Sequence, residues 1–128
     1  MAYNILIVDD SRTARVFINK ALELSGIDRG AVFEAENGKK ALEILKDHWI
    51  DVVLADINMP EMTGIEMVQQ MNKDGMMNTI PVIIVSTERS ATRIAELKAA
   101  GVREYINKPF TPENVKATVE RVLSTPRQ

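Results

Sequence analysis

The chain has 128 residues, 45% hydrophobic and 27% charged, and its 16 Lys+Arg against 18 Asp+Glu leave a net charge of -2. That length suits one domain spanning 1–128, able to bury a core of its own. A count of Cys 0 excludes disulfide and thiolate chemistry, and the slight negative charge removes the electrostatic basis for nucleic-acid binding. No stretch approaches the roughly 20 apolar residues of a membrane span, and Met1-Ala2-Tyr3-Asn4-Ile5 lacks the pattern of a signal peptide. The expectation is a soluble cytoplasmic domain with no nucleic-acid partner and no membrane insertion.

The first apolar run, Ile5-Leu6-Ile7-Val8, reads as a strand. Ser11 then serves as an N-cap for a helix whose face carries Ala14, Ile18, Ala21, Leu22 and Ser25, with Gly26 as its stop. Ala31-Val32-Phe33-Glu34-Ala35 is a second candidate strand, and an Asn37-Gly38 turn leads to a stripe of Ala41, Leu42 and Leu45. Val52-Val53-Leu54-Ala55 is the third strand. After Gly64 a helix follows, marked by Ile65, Val68 and Met71 or Asn72. Val82-Ile83-Ile84-Val85 is the fourth strand, and Ile94, Leu97 and Ala100 or Gly101 make the next helix. A weaker run from Val102 to Ile106 completes the strands. Thr111 caps a last helix with Pro112 at its first position and Val115, Val119 and Val122 inward. The tail from Ser124 to Gln128 is too short for a second domain.

Runs without alternation are what strands buried on both faces look like. Strands alternating with helices argue for an α/β sandwich around a parallel five-stranded sheet, for which 2-1-3-4-5 is the favoured order. In such a sheet the residues after each strand share one edge: Asp9-Asp10, Asp56, Ser86-Thr87 and Asn107-Lys108. Asp9, Asp10 and Asp56 meet at the topological switch point, where ligands settle in open α/β sheets. A single aspartate there is ordinarily a cap or turn residue, and a lone hydroxyl or lysine says little. Together, however, three carboxylates repel unless one is protonated or a cation neutralises them. All-oxygen ligands suit Mg²⁺. A carboxylate nucleophile, a metal, a hydroxyl and an ammonium make a phosphoryl-transfer constellation.

The blocks Val8-Asp9-Asp10-Ser11, Asp56 to Gly64, Ser86-Thr87 and Tyr105-Ile106-Asn107-Lys108-Pro109-Phe110 resemble those of response-regulator receiver domains, from Asn4 to about Leu123, most closely single-domain chemotaxis regulators of the CheY type. The resemblance implies a flavodoxin-like doubly wound (βα)5 sandwich. It implies that Asp56 accepts a phosphoryl group from a phosphohistidine of a sensor histidine kinase or phosphotransfer protein. Asp10, Asp56 and the carbonyl of Asn58 would ligate Mg²⁺, with Asp9 helping directly or through water. Lys108 would pair with a phosphoryl oxygen, Ser86 would swing to hydrogen-bond it, and Tyr105 would turn into the vacated space. The output would be a population shift on the face of the fourth helix, fifth strand and fifth helix, read by a downstream protein. A flagellar motor switch is one candidate reader, although Thr118 stands where chemotaxis members often carry lysine. Beyond its own phosphorylation and dephosphorylation such a chain is not an enzyme. It would be a monomer or a weak phosphorylation-dependent dimer, and Lys108-Pro109 is a candidate cis bond.

Other readings fit less well. Haloacid-dehalogenase-like phosphatases want two aspartates one residue apart after the first strand, and here Asp9 and Asp10 are adjacent. A flavodoxin-like cofactor binder needs a phosphate loop there, which two aspartates would repel. A phosphorylation-independent interaction module is disfavoured because every acceptor-site position is filled. His48 and Trp49 read as surface residues at the end of the second helix, remote from the carboxylates. Met71, Met76 and Met77 read as helix-end packing, and Glu34, Glu36 and Lys39-Lys40 as solvated charge. Thr63 departs from the aspartate frequent at its position, altering a loop bond. Asn58 and Glu88 flank the path of an attacking water and are expected to set the lifetime of the phosphate. Thr87 stands where a small residue is common, so its branched side chain narrows access to Asp56. Thr87→Ala is therefore expected to dephosphorylate faster than wild type, and equal rates would remove that role.

Overall fold

The computed structural model describes residues 2–76 and 79–124. Its first strand, β1 (Tyr3–Val8), is followed by α1 (Arg12–Ser25), β2 (Arg29–Ala35), α2 (Gly38–Asp47), β3 (Val52–Ala55), α3 (Gly64–Lys73), β4 (Val82–Ser86), α4 (Ala91–Ala99), β5 (Glu104–Asn107) and α5 (Pro112–Ser124). The strands form one parallel sheet in the order β2-β1-β3-β4-β5. The apolar runs are the central strands: Ile5 to Val8, Val52 to Ala55 and Val82 to Val85 are essentially inaccessible. Side chains alternate between faces along each strand. Ile5, Ile7, Leu54, Ile83 and Val85 pack under α1 and α5, while Leu6, Val8, Val53 and Ile84 pack under α2, α3 and α4. Each fully buried Ile or Leu stabilises this three-layer arrangement by about 1.5–3 kcal/mol.

The helix faces follow the sequence periodicity. Ile18, Ala21 and Leu22 of α1, Ala41, Leu42 and Leu45 of α2, and Val115, Val119 and Val122 of α5 are buried. The α3 stripe is shifted, with Met67 buried and Ile65 only half-buried. Strand limits also move. Tyr3 pairs with Arg29, so β1 and β2 both begin earlier than the apolar runs. Val102 donates to the Leu97 carbonyl at 3.0 Å, which makes it part of the exit from α4, and β5 begins at Glu104.

Capping explains most helix starts. The Ser11 hydroxyl accepts from Ala14 N–H at 3.1 Å, and Gly26 closes α1 in the left-handed region with φ 79°. Thr111 Oγ1 accepts from Asn114 N–H at 3.1 Å, with Pro112 at the first position of α5. Two expected turn features are caps instead. Asn37 is not a turn residue but the N-cap of α2, accepting from Lys40 N–H at 2.9 Å. Thr63 forms a capping box with Glu66, donor and acceptor exchanged at 3.0 and 3.2 Å; such caps contribute about 1 kcal/mol each.

Away from the strand ends, His48 stacks on Phe33 with ring centroids 4.5 Å apart, and Trp49 is 71% exposed with its indole N–H on Asp51. Met71 is buried and Met76 packs against the same core, as expected for helix-end packing, while Met77 and the tail from Thr125 lie outside the described residues. Among the described residues no helix is long and apolar enough to cross a membrane.

Gly64 sets how closely α3 approaches β3. Its N–H donates to the Ile57 carbonyl at 2.7 Å, and a Cβ there would lie 2.4 Å from the Asp56 carbonyl oxygen and 3.0 Å from Ile57 Cα. Both obstacles are backbone, so the loop would have to move. Gly64→Ala is expected to cost about 1–3 kcal/mol in urea unfolding; a loss below about 0.5 kcal/mol would mean that the loop yields freely.

Candidate functional site

The sheet topology delivers the polar residues to one edge. β1 and β3 are neighbours, and where they end the chain carries Asp9-Asp10 and Asp56. The ladder continues one residue past each strand: Asp9 N–H donates to the Ala35 carbonyl at 3.0 Å and Asp56 N–H to the Val8 carbonyl at 2.9 Å. One carboxylate oxygen from each of Asp9, Asp10 and Asp56 lies within 4.8 Å of the others. The three differ in burial, Asp9 being 1% exposed, Asp56 intermediate and Asp10 exposed.

Each acid is held differently. Asp9 Oδ1 accepts from Ser11 N–H at 2.9 Å, and Asp9 Oδ2 accepts from the Lys108 ammonium at 3.0 Å. Lys108 reaches the cluster from the other side of β3 and β4, its own N–H fixed on the Ser86 carbonyl at 2.9 Å at the end of β5. Asp56 Oδ1 accepts from Ile57 N–H at 2.8 Å. Burial pushes the Asp56 carboxyl above its ordinary value, and the Asp9 charge adds to this. Lys108, the Ile57 N–H and the Ser86 hydroxyl pull it back without cancelling the rise.

A second group stands beside the acids. Ser86 is 2% exposed, and its hydroxyl accepts from Glu88 N–H at 3.2 Å. The half-buried Tyr105 donates its phenol proton to the Glu88 carbonyl, and burial raises its pKa above the ordinary value. Arg89 donates to the Lys108 carbonyl at 3.3 Å. Thr87 and Asn58 are exposed in the loops after β4 and β3, and Glu88 is half-exposed beside Thr87. The Lys108-Pro109 bond is cis, as the sequence suggested. Asp9, Asp10, Asp56, Ser86 and Lys108 thus come together at this edge, Tyr105 reaches it from within β5 through Glu88, and Asn58 and Thr87 lie in the loops that leave it.

Some participants were not expected. Arg15 of α1 donates from Nη1 to the Asp9 carbonyl at 2.7 Å and from Nε to Glu34 Oε1 at 2.8 Å. Glu34 is therefore not merely solvated charge. The Glu36–Lys40 pair is exposed and fits that reading. Asn37 donates to Glu61 Oε2 at 2.8 Å, and Glu61, with φ 62°, is the only non-glycine residue with positive φ among the described residues. Thr63 to Glu66 carried a capping-box signature that could have been read, whereas nothing in the sequence links Arg15 to Glu34 or Asn37 to Glu61.

The donor set is all oxygen, with no His or Cys, and an excess of negative charge that Lys108 alone does not cancel. Those are the requirements of a hard divalent cation such as Mg²⁺. Residues 5–120 match the family model described as the response regulator receiver domain. The chain belongs to this receiver family.

The receiver is 40% identical over 122 residues to a chemotaxis protein CheY homolog of Campylobacter jejuni, covering 94% of this chain and 92% of the relative. It is 39% identical to chemotaxis protein CheY1 of Helicobacter pylori, covering 94% and 97%. Among solved structures, chemotaxis response regulator CheY4 of Vibrio cholerae superposes with a TM-score of 0.84 at 33% identity, covering 96% of this chain and all of that one. The signal receiver domain of the response regulator NarL of Mycobacterium tuberculosis gives 0.88 at 25%, covering 98% of each. Receivers of this CheY-like kind are modules of two-component signalling.

The raised pKa of Asp56 has a consequence for the stability of the receiver. The protonated carboxyl favours the folded state, so its contribution is present below the ordinary value of 3.8 and is lost as pH rises through the higher folded value. At neutral pH, without divalent cations, the ionised group opposes folding. Asp56→Asn is expected to melt above wild type in EDTA at pH 7, the gap closing as pH falls below 3.8. Thermal melts across pH check this, and a variant that melts lower at pH 7 would contradict it.

Proposed function

We propose that this receiver is a phosphoacceptor switch in which Asp56 takes a phosphoryl group from a phosphohistidine. The observation that carries this reading is the setting of Asp56: a half-buried carboxylate at the switch point of a parallel sheet, facing two more acids, with an ammonium across the site. A nucleophilic oxygen of Asp56 forms the new O–P bond as the N–P bond of the donor breaks. The leaving imidazole keeps the electron pair of that bond and takes a proton from solvent.

The added phosphoryl carries about -1.5 to -2 charges into a site that is already acidic. Asp10, Asp56 and the Asn58 carbonyl would hold Mg²⁺, with Asp9 in contact directly or through water, and when bound the ion would offset charge on the phosphoryl oxygens. Lys108, now on Asp9 at 3.0 Å, is the protein's own cation for the same purpose. Ser86 can donate its hydroxyl proton to a phosphoryl oxygen. That movement gives up the bond from Glu88 N–H, whose neighbouring carbonyl holds Tyr105. Phosphorylation at Asp56 is thereby connected to the start of α4 and to β5, the face a downstream protein would read. Glu88, Asn58 and Thr87 line the approach of water and set how long the phosphate lasts.

The phosphodonor is a sensor histidine kinase or phosphotransfer protein. The CheY relatives, chemotaxis proteins by name, support chemotaxis as the pathway, and a flagellar motor switch is one candidate target that follows from the family resemblance alone. The setting for such a pathway is the cytoplasm. In this reading the receiver catalyses nothing beyond its own phosphorylation and dephosphorylation, and its output is the conformation a partner reads.

Intact mass after incubation with acetyl phosphate tests the reading. Wild type with Mg²⁺ is expected to gain one hydroxylamine-labile phosphoryl group; wild type in EDTA and Asp56→Asn are expected to gain none. An adduct that survives Asp56→Asn would move the acceptor elsewhere, and no adduct with any donor would leave only an interaction module.

A further inference from the structure

We propose that Arg15 is the positioning residue of the cation site: its guanidinium grips the Asp9 carbonyl and so aims Asp10 at Asp56. The inference rests on the reading of this edge as a Mg²⁺ site.

Asp9 is clamped at every polar atom. Its N–H goes to Ala35, its carboxylate oxygens to Ser11 N–H and Lys108, and its carbonyl to Arg15 at 2.7 Å. Asp10 is the opposite case. It is exposed, and its carboxylate has no hydrogen-bond or ion-pair partner among the described residues, although one of its oxygens falls within 4.8 Å of those of Asp9 and Asp56. No side-chain contact decides where that oxygen goes, so its position depends on the backbone. The Asp9 carbonyl and the Asp10 N–H belong to one rigid peptide plane. Holding the carbonyl holds the plane, and the plane sets the direction in which the Asp10 side chain leaves the chain.

Arg15 is suited to this by geometry more than by charge. Its side chain is 16% exposed, and Nε on Glu34 Oε1 at 2.8 Å fixes the guanidinium while Nη1 reaches the carbonyl. Two nitrogens of one planar group are used at once, which a lysine cannot imitate. Glu34 stands in β2, so the acidic turn after β1 is referenced to the neighbouring strand through a single side chain.

Electrostatics and positioning predict opposite signs. Removing a cation from beside three carboxylates would by itself make the site more attractive to Mg²⁺. Loss of an orienting outer-shell contact weakens metal binding, typically by 10–100-fold. Calorimetric titration of the apo-receiver with MgCl₂ reads the sign directly. Arg15→Ala is expected to weaken Mg²⁺ binding about tenfold, Arg15→Lys to weaken it severalfold, and Glu34→Gln, which keeps an acceptor for Nε, to stay near wild type. Unchanged or tighter binding by Arg15→Ala, or wild-type affinity in Arg15→Lys, would overturn the proposal. Should Arg15→Ala fail to give a cooperative melt, Arg15→Lys decides alone. A wild-type receiver that takes up no Mg²⁺ would instead bring down the reading of the site itself, and the inference with it.

Discussion

Everything at the functional edge follows from like charges forced together. A parallel sheet with β1 beside β3 brings the residues after both strands to one place, and here those residues are aspartates. Their repulsion is a cost that the fold accepts only because the acids are held by partners of different kinds: backbone N–H groups on Asp9 and Asp56, an ammonium on Asp9, a guanidinium behind Asp9, and solvent on Asp10. The arrangement leaves negative charge in excess. A site of that kind is prepared for a cation and, with one, for an anionic phosphoryl group. The same arrangement opposes folding slightly when empty, so affinity for the ion and the intrinsic instability of the site have one origin.

The surroundings convert a local charge into a change elsewhere. Ser86 and Tyr105 meet at one residue, Glu88, the first through its N–H and the second through its carbonyl. Neighbouring β4 and β5 bring them there, and α4 starts just beyond. A hydroxyl that leaves the Glu88 N–H disturbs the same short segment that holds the phenol. No long-range pathway is needed in the proposed switch, because the acid cluster and the output face share this segment. Gly64 contributes from the other side by letting α3 sit against the Asp56 carbonyl, where a methyl group would intrude.

Much of the architecture was legible because the signals were local and redundant. Three apolar runs, β-branched or leucine-rich and without alternation, read as interior strands, and Ser11, Gly26, Thr111 and Pro112 marked where helices start or stop. Legibility failed where the signal was weak or depended on a distant residue. The edges of β1 and β2 were misjudged because Tyr3 and Arg29 extend a ladder without looking like core. Asn37-Gly38 looks like a turn from its composition, yet the asparagine caps α2 and reaches Glu61. Glu34 looks like surface charge until α1 is laid against β2 and Arg15 arrives.

By itself the sequence determined the alternation of strands and helices and the polar residues at the strand ends, Asp9, Asp10, Asp56, Ser86 and Lys108, while Tyr105 entered only through the resemblance to receiver domains. Periodicity and strand-end position are properties of neighbouring residues, so a single chain displays them. Only the tertiary structure decided how those groups divide their partners. That Lys108 rests on Asp9, that Asp56 is the half-buried acid and Asp10 the exposed one, and that Arg15 holds the turn after β1 are matters of distance and burial. Burial and separation in space are set by how helices pack on both faces of the sheet, between residues up to 99 positions apart.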